Sequence, residues 1–432
     1  MPLLKLNGYN HMKTNTTQHT VNLKVVDAMM GAGKSTAIQQ YMKDNALASK
    51  FVYVSPLLSE LERFQQDCPE LNFKQPTSMG RSKKDSFMDL ILNGYNVVTT
   101  HATLQNLSHS DADEINAAGY ILVIDEAVEA IKVPPPLGRH RLRTLIESEA
   151  LSVAADGLIT WNCASFPIAA IDDAREKALA EDCCNQSLYL IGGETLIHQY
   201  PISILSSFEE VICMTYLWDG TIFAHYCHIH NIKPKNITHE LALMRNESEL
   251  KQIARDNIKL FEPQKDTRAS LTQTWWSKAR PAVIKPLSAM VTSFVTNRKL
   301  TSENILITCP KANWDYKDKN GQHIKSGKAQ AKGAKYTKAL WVASTCRATN
   351  DYADKTAVIY ALSKFENPAI YNHCKNKGVA FDKDRYALAE MLQLIWRGCI
   401  RKGEPMHLFI VCPRMRKLFK CWLNESDIKV LA

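Results

Sequence analysis

The run Ala28-Met29-Met30-Gly31-Ala32-Gly33-Lys34-Ser35 follows the apolar stretch VNLKVVDA and precedes the helical stretch STAIQQYMKDNA. A buried strand that passes through a glycine turn straight into a helix belongs at the mouth of an open α/β sheet, where ligands meet the C-terminal strand ends. Small residues there let backbone N–H groups close around phosphate oxygens, and the helix N-terminus favours the anion. Met30, Gly31, Ala32 and Gly33 form that loop. Lys34 reaches the β- and γ-phosphates of ATP as a point charge, the Ser35 hydroxyl is a magnesium ligand, and Thr36 offers a second hydroxyl to phosphate. The general pattern GxxxxGK[ST] has glycine where this chain has Ala28.

The stretch YILVIDEAVEA ends a second apolar strand in two carboxylates. Charge at the tip of a buried strand is costly unless something at its mouth uses it. Paired with the Lys34 loop, Asp125 is expected to hold magnesium through its water shell, and Glu126 to orient and activate the water that attacks the γ-phosphate.

Short apolar runs recur between helical stretches. KFVYVSP, NVVTTH and EEVICMTY join the two above, and NILITCP, ALWVAST, TAVIYAL and HLFIVCP form a later set. This rhythm predicts parallel sheets covered by helices. The expected fold is α/β, with two α/β domains in tandem and helical excursions. A polar arm is expected over residues 1–20, the first domain over 21–220 and the second over 221–432. The stretches 130–205 and 221–300, the latter with Trp275-Trp276, are expected to be helical excursions that either grip a substrate or pack the sheets. Residues 311–338, rich in lysine and without arginine, look like a flexible basic loop.

Lys and Arg number 53 against 44 Asp and Glu, a net charge of +9, which favours a polyanionic partner. The twelve cysteines are scattered without a CxxC pair and are expected to be reduced thiols of a cytoplasmic protein. Neither Cys163, Cys183, Cys184 and Cys213 nor Cys227, His228 and His230 has the spacing of a known metal site. The polar N-terminus has no signal-peptide core, and no window approaches the length of an apolar membrane span.

On these motifs the chain resembles superfamily 2 helicases of the DEAD/DEAH-like group over about residues 25–405, most like the compact ones encoded by bacteriophages. Asp125-Glu126-Ala127-Val128 stands as the signature tetrad. The resemblance implies that the two tandem domains are RecA-like P-loop NTPase domains. It also implies cofactors ATP and Mg2+, and a nucleic-acid partner, DNA favoured over RNA, held mainly by its backbone, with replication or recombination proteins as further partners. It places Ser55 and Pro56 in motif Ia and Thr99, Thr100 and His101 in a motif Ib-like loop, both lining the nucleic-acid groove. Met214-Thr215-Tyr216 resembles motif III. Arg347, Thr349 and Asn350 lie in a motif V-like stretch, touching nucleic acid and nucleotide. Gln393, Arg397 and Arg401 resemble motif VI, whose arginines face the γ-phosphate across the interdomain cleft. Trp396 replaces the usual glycine of that motif, and Arg401 falls one residue late. Three other readings remain open: a duplex translocase or annealing enzyme that never separates strands, an ATP-gated binding switch or scaffold without unwinding, and a metabolic P-loop kinase, which the second α/β half disfavours.

Overall fold

The apolar runs of the first half form β1 (Leu23–Asp27), β2 (Lys50–Ser55), β3 (Val97–Thr100), β4 (Tyr120–Asp125) and β5 (Glu210–Thr215) in a computed structural model. It describes residues 20–317, 323–330, 336, 338–345 and 351–425. With the short β6 (Lys235–Asn236) these strands make a parallel sheet of order β6-β1-β5-β4-β2-β3. Alternate residues feed two cores, one on each face. Val52, Val54, Leu122 and Ile124 face one side, while Phe51, Tyr53, Ile121 and Val123 face the other. Burial on both faces is why these runs are continuously apolar rather than alternating.

The second half builds β7 (Ile258–Leu260), β8 (Ile305–Thr308), β9 (Leu340–Trp341), β10 (Ala357–Tyr360) and β11 (Met406–Ile410). Their order is β7-β11-β10-β8-β9, again parallel. The chain thus has two α/β sheets of RecA-like type in tandem. Sheet one still holds residues 235–236 and sheet two begins at 258. Helix Ile222–Ile229, beyond residue 220, buries Phe223, Ala224 and Tyr226 in the first core. We propose the domain boundary within 237–257.

The stretch 130–205 is more than a helical excursion. Helices Arg139–Glu147 and Ala174–Cys184 pack with an antiparallel hairpin and a three-stranded antiparallel sheet around a separate apolar cluster that includes Leu142, Trp161 and Leu179. Cys163, Cys183 and Cys184 belong to this unit, whereas Cys213 is buried in β5, so the four do not converge. Among the described residues, no group of three or more His, Cys, Asp or Glu is placed to hold a metal by itself. None of their helices is long and apolar enough to cross a membrane.

Trp276 and the described aromatic residues of the lysine-rich stretch pack into the second core. Trp276 is buried and its Nε1 donates to the Ala361 carbonyl at 3.0 Å. Within 311–338, the described residues include a short helix, Lys311–Trp314, and a hairpin of Asp315–Lys317 with His323–Ser326. Trp314 stacks near Tyr336, whose hydroxyl meets that of Ser288 at 2.7 Å. Where described, the stretch is tied to the core by its aromatic residues, which the count of lysines concealed.

One helix of the second half crosses to the first. Pro368–Asn376 follows β10, yet Ile370 and Cys374 join the first core. Buried His373 accepts from Gln199 Nε2 at 2.5 Å, and the Gln199 carbonyl oxygen meets His230 Nε2 at 2.6 Å. Burial, reinforced by nearby Lys377, pushes His373 down to about 4. Its folded value lies below its unfolded one, so between roughly pH 6.5 and 4 the unfolded chain binds the extra proton and stability falls as pH falls. We expect His373→Gln to flatten the drop in thermal midpoint across that window. An equally steep drop in both proteins would show that His373 does not contribute to it.

Candidate active site at the seam of the two halves

Gly31 and Gly33 adopt φ of 87° and 91°, the left-handed backbone that turns the loop after β1 and leads into helix Lys34–Asp44. A Cβ at Gly33 would stand 2.7 Å from Cγ of the exposed Met244 side chain, which would have to move aside; the chain linking the two sheets lies against the loop, with Met244 N donating to the Ala32 carbonyl at 2.9 Å. Helix Lys34–Asp44 has no side-chain N-cap and no acidic residue in its first turn, so its leading N–H groups face the loop. Met30 and Ser35 are half-buried beside them, and Thr36 is exposed.

Lys34 Nζ donates to the Ala28 carbonyl at 2.5 Å and the Met29 carbonyl at 3.2 Å. Burial lowers its ammonium to about 8, against the opposing pull of Asp125, Glu126 and Asp27. Burial, with Glu126 beside it, pushes Asp125 up to about 6. The pocket therefore crowds acids around one lysine, and a divalent cation would relieve that crowding. Asp27, at the end of β1, is raised by burial as well. Its Oδ1, Ser55 Oγ and Thr215 Oγ1 are buried at the mouths of β1, β2 and β5 with no hydrogen-bond partner within the protein.

Two side chains hold Asp125. Tyr53, in the middle of β2, donates its hydroxyl to Asp125 Oδ2 at 3.0 Å while its ring stacks on Phe64 at 3.6 Å. His101 Nε2 lies 3.0 Å from the Asp125 carbonyl oxygen. Sequence reasoning missed Tyr53, which reads as one more apolar residue of a buried strand, and it missed Asp27, although the acid at the end of the first apolar run was in view.

The second half reaches this pocket through helix Lys383–Ile395 and the turn after it. Arg397 is buried, and its Nη2 meets Glu126 Oε1 at 2.8 Å. Arg401 is half-buried in the same cluster, its pKa lowered by burial and by the neighbouring Arg397. Glu60, which the sequence did not suggest, feels both arginines and Arg63. Gln393 lines a small seam cavity with Ala127, Val128 and Thr221, away from the loop lysine's contacts. Tyr216 bridges the halves too. Its hydroxyl donates to Glu247 Oε1 and accepts from Trp422 Nε1, both at 2.8 Å.

The residues expected to line a nucleic-acid groove are divided. Ser55 and Thr99 are buried, Pro56 and Thr100 are half-exposed, and Thr100 caps the helix His101–Gln105. Arg347, Thr349 and Asn350 lie outside the described residues.

Residues 248–423 match the family model of the YonV C-terminal Rossmann-like domain. The chain is 28% identical over 434 residues to the SPbeta prophage-derived uncharacterized protein YonV of Bacillus subtilis (strain 168), covering 94% of this chain and 99% of that protein. Its fold is similar to that of Xpd4 from S. tokodaii, with a TM-score of 0.50, 12% identity and 96% of each chain covered. At that identity the likeness shows the fold alone. That fold is two tandem RecA-like α/β domains.

Tyr53→Phe removes one hydroxyl and leaves the ring stacked. If the site turns over ATP with magnesium and Tyr53 aims Asp125 at the metal, the magnesium concentration giving half-maximal turnover should rise roughly threefold to tenfold, the scale of one ordinary hydrogen bond. An unchanged magnesium titration would remove Tyr53 from that role.

Proposed function

We propose that this protein is a magnesium-dependent ATPase that couples hydrolysis to movement along, or remodelling of, nucleic acid, with DNA favoured. The observation that carries the reading is the buried contact of Arg397 with Glu126 beside Lys34, since it joins the two sheets next to the phosphate-type loop. A metabolic P-loop kinase has no use for an arginine delivered by a second sheet.

Met30 to Thr36 would wrap the phosphates, with backbone N–H groups and the helix terminus facing the anion. Lys34 would leave its loop carbonyls for the β- and γ-phosphates. Ser35 and Asp125 fit as the protein's donors to magnesium, which prefers few protein ligands and takes the remainder from phosphate and water. Bound there, the ion would neutralise charge on the β- and γ-phosphates. Glu126 would align the attacking water, while Arg397, with Arg401 behind it, would meet the charge that builds on the γ-phosphoryl oxygens. Gln393 would act at the seam, sensing closure of the halves.

Pro56 and Thr100 on the first half, with Ser55 and Thr99 buried behind them as support, and Arg347, Thr349 and Asn350 on the second, would contact the nucleic-acid backbone. Contacts of that type give weak sequence preference and steep salt dependence. The likeness to a prophage-derived protein accords with work in a host cytoplasm.

The test is steady-state ATP turnover with magnesium, alone and with single-stranded DNA, duplex DNA or RNA. We expect one nucleic acid to raise turnover several-fold, Lys34→Ala and Glu126→Gln to abolish it, and Arg397→Ala to cost about 10³-fold. Turnover indifferent to every nucleic acid would favour the ATP-gated switch instead.

A further inference from the structure

The peptide unit between the two carboxylates is held at both of its polar ends. Its carbonyl, that of Asp125, lies 3.0 Å from His101 Nε2. Its N–H, that of Glu126, donates to the Met214 carbonyl at 3.0 Å. One partner follows β3 and the other is in β5, and these strands are not neighbours of one another in the sheet. The His101 ring reaches past the end of β2 to touch the end of β4.

This peptide unit also has an unusual consequence for the residue after it. Glu126 has φ of 63°, a left-handed backbone that a side-chain-bearing residue holds at a cost of roughly 1–3 kcal/mol unless its surroundings over-determine it. The conformation directs the Glu126 carboxylate to Arg397 Nη2, 2.8 Å away. A relaxed backbone at residue 126 would turn the carboxylate away from the seam. The two hydrogen bonds on the Asp125–Glu126 peptide are the visible restraints against that relaxation.

We propose that His101 is a positioning residue that transmits the state of the β3 strand end to Glu126, and is not itself a phosphate contact. This inference rests on the ATPase reading above and says how nucleic acid at that site would change turnover. His101 opens a helix of only five residues, whose Thr100 cap is itself half-exposed at the strand end. A strand of nucleic acid drawn against Thr100 would shift that short helix as a body. The imidazole would carry the shift to the Asp125 carbonyl, and the pinned peptide to the Glu126 carboxylate. Met214, at the other end of the same peptide, precedes Thr215 and Tyr216, and Tyr216 is bonded to Glu247 and Trp422 of the second half. The peptide therefore sits between the strand end facing the proposed groove and the element that binds the two halves together.

The experiment compares the full-length wild type with His101→Ala and His101→Gln, whose amide N–H is able to replace the ring donor. ATP turnover is titrated with an oligo-dT single strand, and oligo-dT binding is measured separately by fluorescence anisotropy. We expect His101→Ala to lower the DNA-saturated turnover about tenfold, within the range of ordinary coupling free energies, with the half-saturating DNA concentration and anisotropy affinity changed less than about twofold, and His101→Gln to recover much of the loss. A weakened affinity with full turnover at saturation would make His101 a phosphate contact and overturn the proposal. Unchanged turnover in both variants, or an equal loss in both with a lowered melting temperature, would overturn it too. A wild type that no nucleic acid stimulates fails the ATPase-motor reading itself, a result that no His101 variant produces.

Discussion

The contact of Arg397 with Glu126 is the constraint around which the two sheets are arranged. Both groups lie in the seam, the arginine side chain 4% exposed and the glutamate 16%. Removing one partner from such a pair strands the other in a poor solvent, typically at about 3–5 kcal/mol, whereas keeping the pair contributes little net stability. A protein gains little by holding such a pair for stability alone. The pair makes sense if the seam is where charge is needed, and the neighbouring Lys34, Asp125 and Arg401 have the same bias. The apolar packing follows suit. Ala28, Met29, Ala32 and Tyr216 of the first half share one cluster with the core of the second. The phosphate-type loop is thus wedged between sheets and not left on a surface.

Three separate restraints converge on the two carboxylates from the first half. Tyr53 fixes the Asp125 side chain from β2, His101 fixes its carbonyl from the end of β3, and Met214 fixes the next N–H from β5. Strand ends that are separate in sequence become one scaffold because the sheet is parallel, with every C-terminal end on the same edge. The helix Pro368–Asn376, packed on the first core, gives the halves a second attachment.

The sheets were legible because burial on both faces writes uninterrupted apolar runs, and β1 to β5 stand where such runs end in small, polar or acidic residues. β6 and β7 were not. Lys235–Asn236 is a two-residue polar edge strand, and Ile258–Leu260 directly continues a helix, so neither carries a period. The unit over 130–205 was hidden for a related reason: its strands are short and antiparallel, and its helices alone have a sequence signature. At the site, charged residues at strand ends could be read, because charge after an apolar run requires explanation. The residues that aim them could not. Tyr53 looks like core, and His101 looks like one more residue of the loop after β3. Which way each points depends on packing between segments distant in sequence, and no local pattern encodes that.

The central claim is that Glu126 and Arg397 form one functional unit across the seam, and a double-substitution cycle on single-turnover ATP hydrolysis tests it most directly. Glu126→Asp and Arg397→Lys, which keep the charges and leave measurable rates, would be measured separately and together, with nucleotide saturating. Groups that act as a unit are strongly non-additive, so the doubly substituted protein should hydrolyse about as fast as the slower single variant. If the two losses multiply, the residues act independently, and the seam contact is a packing feature and not the core of the site.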